Sequence, residues 1–346
     1  MKRLRLLLLA AIFLLSTGAT IRVLPTLPGG GLCVAHALNV TGEAVGFAFN
    51  SAGLQRAVFW NKVGAITEIP TSAISGRYYA AYDINDLGWV AGKMGTPASA
   101  AHAFKWRFGG TVTDLGASSM ESIAFGISEE NHIVGQWTVS GTPPPSYAVV
   151  WPSGSTTAYW LGGFGGNLDY ASDVAANAPV AVGTSRLSAT GPRHAFLYLD
   201  GSPLRDLGTL GGNNSFGRAV SVGTWPDPSE STIYAVGESE TAPGSFDTDA
   251  FLYHGGTMTN IGGLPGCTRN YAYGVNRAGD VVGYSWCSGY TRAFLYRGGV
   301  MIDLNTLIGP GTGWEQLQMA YDINEKGQIA GYGIYMGQGR GFIMTP

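Results

Sequence analysis

The chain has 346 residues, of which 12% are charged, and its formal net charge at pH 7 is -3. Ordinary soluble proteins carry about 25% charged residues, so this composition leaves little room for surface helices. It also lacks the basic excess that nucleic-acid binding requires, which argues against a nucleic-acid partner.

The first residues have the pattern of an export signal. Lys2, Arg3 and Arg5 form a basic start, Leu6 to Leu15 form an apolar run, and small residues then lead to a predicted cut after Ala19. The apolar run is shorter than the roughly 20 residues that a membrane span needs. We therefore predict a signal peptide at 1–19, a secreted or periplasmic protein, and no membrane span once the signal is removed.

A short pattern recurs along the rest of the chain at a spacing of about 47 residues, which is typical of propellers and solenoids. Its clearest part is a strand of alternating polar, small and aromatic residues. The seven copies are Arg56–Trp60, His102–Trp106, Tyr147–Trp151, His194–Tyr198, Asp249–Tyr253, Arg292–Tyr296 and Arg340–Met344.

Three further pieces recur around that strand. A strand with alanine three residues before an aliphatic residue, as at Ala81 and Ile84, comes first and leads into a hairpin turn. An apolar strand ending in glycine, as at Val90–Gly92, comes second, and Val112–Gly116 exemplifies the fourth. Four short antiparallel strands per unit describe a propeller blade. We predict an all-β fold, a seven-bladed β-propeller, in a single domain at 20–346.

The two ends of the chain predict how the propeller closes. The seventh unit stops at Pro346 after its third strand, whereas Leu24–Gly29 resembles Leu207–Gly212, the end of a fourth strand. We therefore expect the N-terminal segment to complete the last blade as its outer strand, which removes an exposed sheet edge.

The repeat resembles a known family. His102-Ala103-Phe104 and His194-Ala195-Phe196, the stretch Asp206–Gly212, and the Ile-Asn-x-x-Gly turn are similar to the HAF repeats of bacterial extracellular proteins. The resemblance covers nearly all of the predicted mature chain. It implies an extracellular propeller-type repeat protein and carries over no catalytic residue.

Three cysteines occur in the chain. Cys267 follows a predicted fourth strand and Cys287 lies in the next blade's second-to-third loop, so both are expected on one face and able to form a disulfide in an oxidising compartment. Cys33 is expected to stay free. Paired ligand spacings with histidine are absent, so no structural zinc site is predicted.

The best candidates for ligand contacts are polar residues that precede the recurrent alanine of the third strand. Such a position can belong to a solvent-exposed rim. It can also contact a ligand, because it lies beside the longer and more variable loops. The residues are Arg56, His102, His194, Asp249, Arg292 and Arg340.

Other recurring residues favour structural roles. Asp114, Asp206 and Asp303 recur at one place and are expected to accept hydrogen bonds at strand ends. The aromatic residues that end the third strand, such as Trp60 and Trp106, are expected in the core.

A third set of aspartates, Asp83, Asp173 and Asp322, precedes the aliphatic residue of the first strand. If these residues face the central channel, their oxygens could hold a cation such as calcium. No nucleophile elbow, His-Glu-x-x-His helix or phosphate-binding loop occurs, so we predict no catalytic residue, cofactor or resident metal.

These observations favour a monomeric secreted protein that acts as a binding or scaffold module for an extracellular glycan or protein. A secreted propeller-type glycoside hydrolase or lyase is the alternative, and a purely structural envelope protein is a third possibility. Fold alone does not separate them.

Overall fold

The computed structural model describes residues 18–70, 78–96, 99–116, 120–141, 144–223 and 230–346. Within these ranges the chain is all-β, with 28 strands and two short 3-10 helices, Glu230–Thr232 and Leu304–Leu307. Neither of these helices has the length and apolar character to span a bilayer. The predicted signal peptide lies outside the described residues up to residue 17, and the first strand begins at Thr20.

The strands of the described residues form five hydrogen-bonded sheets, three of four strands and two of eight. Each eight-stranded sheet consists of two four-stranded antiparallel units joined by one parallel residue pair, Gln55–Tyr78 or Thr248–Arg269. We number the resulting four-stranded units sheets 1 to 7. In chain order, β1 is Thr20–Val23; sheet 1 holds β2 (Cys33–Leu38), β3 (Ala44–Phe49), β4 (Gln55–Trp60) and β5 (Ile66–Glu68); sheet 2 holds β6 (Tyr78–Ile84), β7 (Trp89–Thr96), β8 (Ser99–Arg107) and β9 (Thr113–Asp114); sheet 3 holds β10 (Glu121–Ile127), β11 (Ile133–Thr138), β12 (Ser146–Trp151) and β13 (Tyr159–Trp160).

The remaining sheets repeat this order. Sheet 4 holds β14 (Tyr170–Val174), β15 (Val180–Arg186), β16 (Arg193–Leu199) and β17 (Arg205–Asp206); sheet 5 holds β18 (Ser215–Val222), β19 (Ile233–Glu240), β20 (Thr248–His254) and β21 (Thr257–Gly262); sheet 6 holds β22 (Arg269–Val275), β23 (Val281–Cys287), β24 (Tyr290–Arg297) and β25 (Val300–Asp303); sheet 7 holds β26 (Trp314–Ile323), β27 (Ile329–Tyr335), β28 (Gln338–Thr345) and β1. The prediction of an all-β fold built from four-stranded sheets is confirmed.

The first described strand completes the last sheet. β1 pairs antiparallel with β28, from Thr20 opposite Thr345 to Val23 opposite Phe342. Leu24 then donates its N–H to Gly341 O at 2.9 Å and is fully buried. The chain's first and last described strands are therefore neighbours in one sheet.

The core lies between the faces of successive sheets, because both faces of each sheet are covered. Trp60, Trp106 and Trp151 are fully buried, as predicted for the end of the third strand. Close packing also explains why the second strand ends in glycine. A Cβ on Gly92 would lie 2.2 Å from Ala80 O and 2.7 Å from the Phe104 ring, so no larger residue fits there.

The hairpin between the first and second strands uses a residue with positive φ. Gly88 has φ of 77° and Asn131, which takes the glycine place in sheet 3, has φ of 64°. Asparagine tolerates this region better than most residues, as the sequence comparison between the repeats predicts. The hairpins can therefore keep one shape although the residue differs.

The first strands β2, β6, β10, β14, β18, β22 and β26 contact one another in succession, and β26 contacts β2. Asparagines in their turns link neighbouring sheets by side-chain N–H groups. The Nδ2 atoms donate from Asn276 to Asn324 O (3.3 Å), from Asn324 to Asn39 O (2.9 Å), from Asn39 to Asn85 O (3.2 Å) and from Asn85 to Ser128 O (2.8 Å). Residues of all seven first strands line one shared space, which we call the central channel.

Candidate functional site

Every first strand contains a β-bulge at the same place in the repeat. The register shifts across one residue in each of them, so that residue has no partner on the second strand. An extra residue of this kind bends the strand and re-aims a side chain. The seven bulge residues are His36, Tyr82, Phe125, Ser172, Arg218, Tyr273 and Tyr321.

All seven bulge residues line one cavity of about 380 Å³ in the central channel. That volume lies within the range of roughly 300–1,000 Å³ found for small-molecule sites. Each sheet therefore contributes its bulge residue to the cavity wall, and the identity of that residue differs between sheets.

Five of the seven bulge residues are aromatic. The His36 ring stacks on Tyr82 with centroids 5.3 Å apart and meets Tyr321 edge-on at 5.5 Å. Phe125 contacts Tyr82 at 5.4 Å, and Tyr273 contacts Tyr321 at 5.6 Å. Such ring pairs hold one another in place beyond the gain from burial. The wall is therefore a connected aromatic surface across sheets 1, 2, 3, 6 and 7.

Arg218 is the charged exception among the bulge residues. Its Nε donates to Glu238 Oε2 at 3.0 Å, its Nη2 also donates to that carboxylate, and Glu238 is 2% exposed. The guanidinium lies 5.2 Å from the Tyr273 ring centroid. Burial disfavours the charged form, but Glu238 outweighs it, so the pKa of Arg218 lies well above its ordinary value. This pair places an ion pair without net charge beside the aromatic wall.

Three aspartates follow bulge residues and also line the cavity. Asp83 Oδ1 accepts from Ile84 N, and its Oδ2 accepts from Ile127 N of the next sheet, both at 2.7 Å. Asp173 makes the same bridge from sheet 4 to Val220 N of sheet 5 at 2.8 Å.

Asp322 makes the third bridge, from sheet 7 to Leu38 N of sheet 1 at 2.9 Å. Burial raises the pKa of Asp83 to about 7, with the Asp322 charge adding to the effect. Burial likewise raises the pKa of Asp322 to about 6 and that of Asp173 well above its ordinary value. Each carboxyl group is thus both a tie between sheets and an ionisable group on the cavity wall.

These three carboxylates are not grouped as metal ligands. Across the residues that the structure describes, no set of three or more His, Cys, Asp or Glu side chains is placed to hold a metal ion. The expectation that they face the channel agrees with the structure. The calcium site that would follow from it gains no support.

Two more ionisable residues stand at the aromatic wall. His36 Nδ1 lies 2.8 Å from Ala81 O, so this nitrogen carries the proton and donates it. Burial lowers the pKa of His36, and the ring is therefore neutral near pH 7. Lys93, on the second strand of sheet 2, holds its ammonium 5.9 Å from the Tyr82 ring centroid.

The structure does not bring the six predicted ligand residues together at one site. Four of them pair within their own sheet, from the third strand to an acid on the fourth strand. The pairs are Arg56–Glu68 (2.6 Å), His102–Asp114 (3.0 Å), His194–Asp206 (2.8 Å) and Arg292–Asp303 (2.9 Å). We call these four pairs the rim pairs.

The other two predicted residues are also engaged locally. Asp249 accepts from the side-chain amides of Asn260 (2.8 Å) and Asn270 (2.9 Å), and Arg340 donates to Gly31 O at 2.7 Å. Of the six, Arg292 also borders a second cavity, of about 400 Å³. A ligand role for these residues stays a prediction.

The recurrent aspartates at the fourth strand act as the sequence predicts. Asp114 Oδ1 accepts from Gly116 N at 2.8 Å, and Asp206 Oδ1 accepts from Gly208 N at 2.7 Å. Each carboxylate therefore fixes the strand end and holds the basic residue of the rim pair.

The cysteines have the expected arrangement in space. Cys267 and Cys287 are joined by a disulfide with Cα atoms 4.1 Å apart. Cys33 is buried and free, and its Sγ accepts from Gly341 N at 3.3 Å. Burial raises the pKa of the Cys33 thiol to about 11, so it is an unreactive packing residue between sheets 7 and 1.

The bulge residues are the functional candidates that the sequence patterns do not single out. Their signal is a position that varies from histidine to arginine although the alanine before it recurs in six of the seven units. Arg218 and Glu238 are the sharpest case, because the other sheets hold no ion pair at these two positions.

No protein-family model and no curated protein matches the sequence. Solved structures do match in fold. The oligogalacturonate lyase of Vibrio parahaemolyticus is 9% identical with a TM-score of 0.56, covering 94% of this chain and 96% of its own. The β-propeller domain of the Trilobed protease from Pyrococcus furiosus is 9% identical with a TM-score of 0.56, covering 90% and 95%.

TolB from Acinetobacter baumannii is 13% identical with a TM-score of 0.50, over 75% of this chain. The match spans 62% of TolB, less than two thirds of its length. At these identities the likeness shows the fold and not the activity. Together with the four-stranded sheets around one channel, it places the protein among the β-propellers.

Proposed function

We propose that the protein is an exported binding module whose ligand, an extracellular glycan, occupies the central channel. The observation that carries this proposal is the ring of bulge residues. A position that points into a ligand-sized cavity and varies from sheet to sheet is where a repeat protein can build recognition without altering its frame.

The aromatic wall favours a glycan over a protein partner. Flat rings such as Tyr82, Phe125 and Tyr321 offer apolar faces, and Arg218, Ser172 and Gln136 place polar atoms on the same cavity. Sugars present apolar C–H faces and polar edges that suit such a mixture. A folded protein surface needs about 800 Å² on each partner, which a channel of this size does not offer.

We further propose that the seven sheets are the blades of a closed seven-bladed ring in one domain, with β1 as the last outer strand. The pairing of β1 with β28 and the hydrogen bond from Asn324 to Asn39 support closure, since both join the two ends of the repeat array. A secreted or periplasmic location follows from the predicted signal at 1–19, and β1 begins directly after the predicted cut.

A lyase or hydrolase is the second candidate. The Arg218–Glu238 pair and the neutral His36 put ionisable groups on the cavity wall, and one structure of the same fold is an oligogalacturonate lyase. Neutral histidine can act as a general base, and arginine can stabilise a developing negative charge. This candidate requires turnover of the ligand that binds.

The test is a glycan array with the purified protein, followed by calorimetry on each hit. Phe125→Leu removes one aromatic face from the channel, and we expect it to weaken binding at least about tenfold, the equivalent of about 1.4 kcal/mol. Trp160→Leu is the matched control, because Trp160 is 61% exposed on the outer strand of sheet 3. Equal affinity in all three proteins would place the ligand elsewhere, and product formation from a hit would favour the enzyme.

A further inference from the structure

The channel wall has more carboxyl groups than uncompensated basic groups. The carboxylates of Asp83, Asp173 and Asp322 line the cavity, and the one arginine there, Arg218, is neutralised by Glu238. His36 is neutral, because burial lowers its pKa. Lys93 supplies a single further positive charge at the wall. Ionised carboxylates therefore leave the channel with a negative excess that a cationic ligand would compensate.

The aromatic wall already holds cations of the chain itself. The Lys93 ammonium lies 5.9 Å from the Tyr82 centroid, and the Arg218 guanidinium lies 5.2 Å from the Tyr273 centroid. Both distances are within about 6 Å, the limit at which a ring face attracts a cation. The rings of this cavity therefore present faces suited to positive groups.

The placement of the carboxylates favours organic ammonium groups over a metal ion. They come from sheets 2, 4 and 7, and within the described residues they form no cluster fit for a metal. Each one already accepts two backbone N–H groups, so a further partner would have to bind at the oxygen surface facing the cavity. A ligand with several amino groups on a sugar frame can meet separated carboxylates one at a time.

We propose that the channel binds a glycan with free amino groups, its ammonium groups on the carboxylates of Asp83, Asp173 and Asp322 and its sugar faces on the aromatic bulge residues. This inference rests on the proposed function and narrows its ligand class to an amino sugar chain. A bound ammonium would also favour the ionised carboxylates, whose pKa values burial raises in the free protein.

The experiment compares two probes that share one sugar frame, in one of which acetylation replaces each ammonium group with a neutral amide. Calorimetry at pH 7 measures binding of a glucosamine tetramer and of the N-acetylglucosamine tetramer, which has the same sugar frame without the ammonium groups. We expect the glucosamine tetramer to bind at least about tenfold tighter. Equal affinities, or tighter binding of a galacturonate tetramer, would overturn the inference.

Variants locate the preference in the channel. Asp83→Asn keeps the shape of the side chain and removes its charge, and we expect it to reduce the preference for the glucosamine tetramer several-fold. Asp206→Asn is the matched control, since it removes a carboxylate from a rim pair outside the channel. If both variants reduce the preference alike, the effect is non-specific attraction to an acidic protein and the inference is wrong.

Phe125→Leu separates this inference from the proposed function and keeps the test valid if Asp83→Asn fails to fold. Weaker binding of both tetramers to Phe125→Leu, with no preference in the parent protein, would leave the channel as a glycan site and reject the amino-sugar class. Equal binding of the glucosamine tetramer to the parent and to Phe125→Leu would contradict both.

Discussion

The channel and the rim of this protein contain similar residue types, but rim residues pair within one sheet whereas channel residues of all sheets line one cavity. In each of the four rim pairs, the basic residue meets an acid 11 or 12 positions later in its own sheet, as in His194–Asp206 and Arg292–Asp303. In the channel, the bulge position changes from sheet to sheet and faces a shared cavity. We infer that a pair of polar residues that recurs within single sheets belongs to the frame, whereas variation at a fixed inward position belongs to recognition.

The largest effect should come from breaking the frame where the two ends of the chain meet. Deletion of 21–30 removes most of β1 together with Leu24 and Leu27, which are both buried. We expect a loss of several kcal/mol in the free energy of unfolding, because strand pairing and apolar burial are lost together.

Denaturant unfolding measures this loss, and a chain that starts at Thr20 is the control. A deletion variant as stable as that control would show that sheet 7 does not depend on β1 and that the ring is not closed by this strand.

The next effect contrasts the Arg218–Glu238 ion pair in the channel with a rim pair. Glu238→Gln removes the partner of Arg218 in the channel, and breaking a buried pair costs about 3–5 kcal/mol when the remaining charge is fully enclosed. Because the Arg218 side chain is 27% exposed, we expect a loss nearer to about 2 kcal/mol.

Asp206→Asn makes the corresponding change at a rim pair, whose acid is 41% exposed, and should cost less than about 1 kcal/mol. Urea denaturation of the two variants gives the comparison directly. Equal losses would contradict the distinction between channel and rim.

A smaller effect concerns pH and the channel aspartates. Their pKa values in the folded protein, about 7 for Asp83 and about 6 for Asp322, lie above the value of about 3.9 in an unfolded chain. A raised carboxyl pKa contributes stability that is fully present below about pH 3.9 and is lost as the pH rises through the folded value.

We therefore expect these groups to lower the melting temperature between about pH 4 and pH 7, opposite to the usual behaviour of paired carboxylates. Melting curves across that range should show a smaller decrease for Asp83→Asn than for the parent protein. An unchanged slope in the variant would mean that Asp83 is ionised throughout.

Much of the strand arrangement could be predicted from the sequence because the same pattern occurs in seven copies. The four-stranded units and the burial of Trp60 and Trp106 follow from positions that recur, and the match between Leu24–Gly29 and Leu207–Gly212 anticipates the place of β1 beside β28. Such features depend on local strand and turn chemistry, which every copy displays.

The channel site was less accessible to sequence reasoning for a physical reason. Tyr82 and its neighbour Asp83 both line the cavity because of a bulge, and strand alternation alone does not place the extra residue. The double role of Asp83 depends on where the backbone of the next sheet lies, since its second partner is Ile127 N. The six predicted ligand residues have side chains that suit a binding site. Four of them, however, each pair with an acidic residue of their own sheet, so the structure does not bring them together.

The most direct test of whether recognition lies in the channel measures the affinity of one ligand for a channel variant and for a rim variant. With a glycan found on the array, calorimetry on Phe125→Leu and on the double variant Arg292→Ala/Arg340→Ala compares channel and rim. We predict that Phe125→Leu weakens binding at least about tenfold and that the double variant binds like the parent protein. Loss of binding in the double variant with full affinity in Phe125→Leu, at unchanged melting temperatures, would place recognition at the rim and contradict the account.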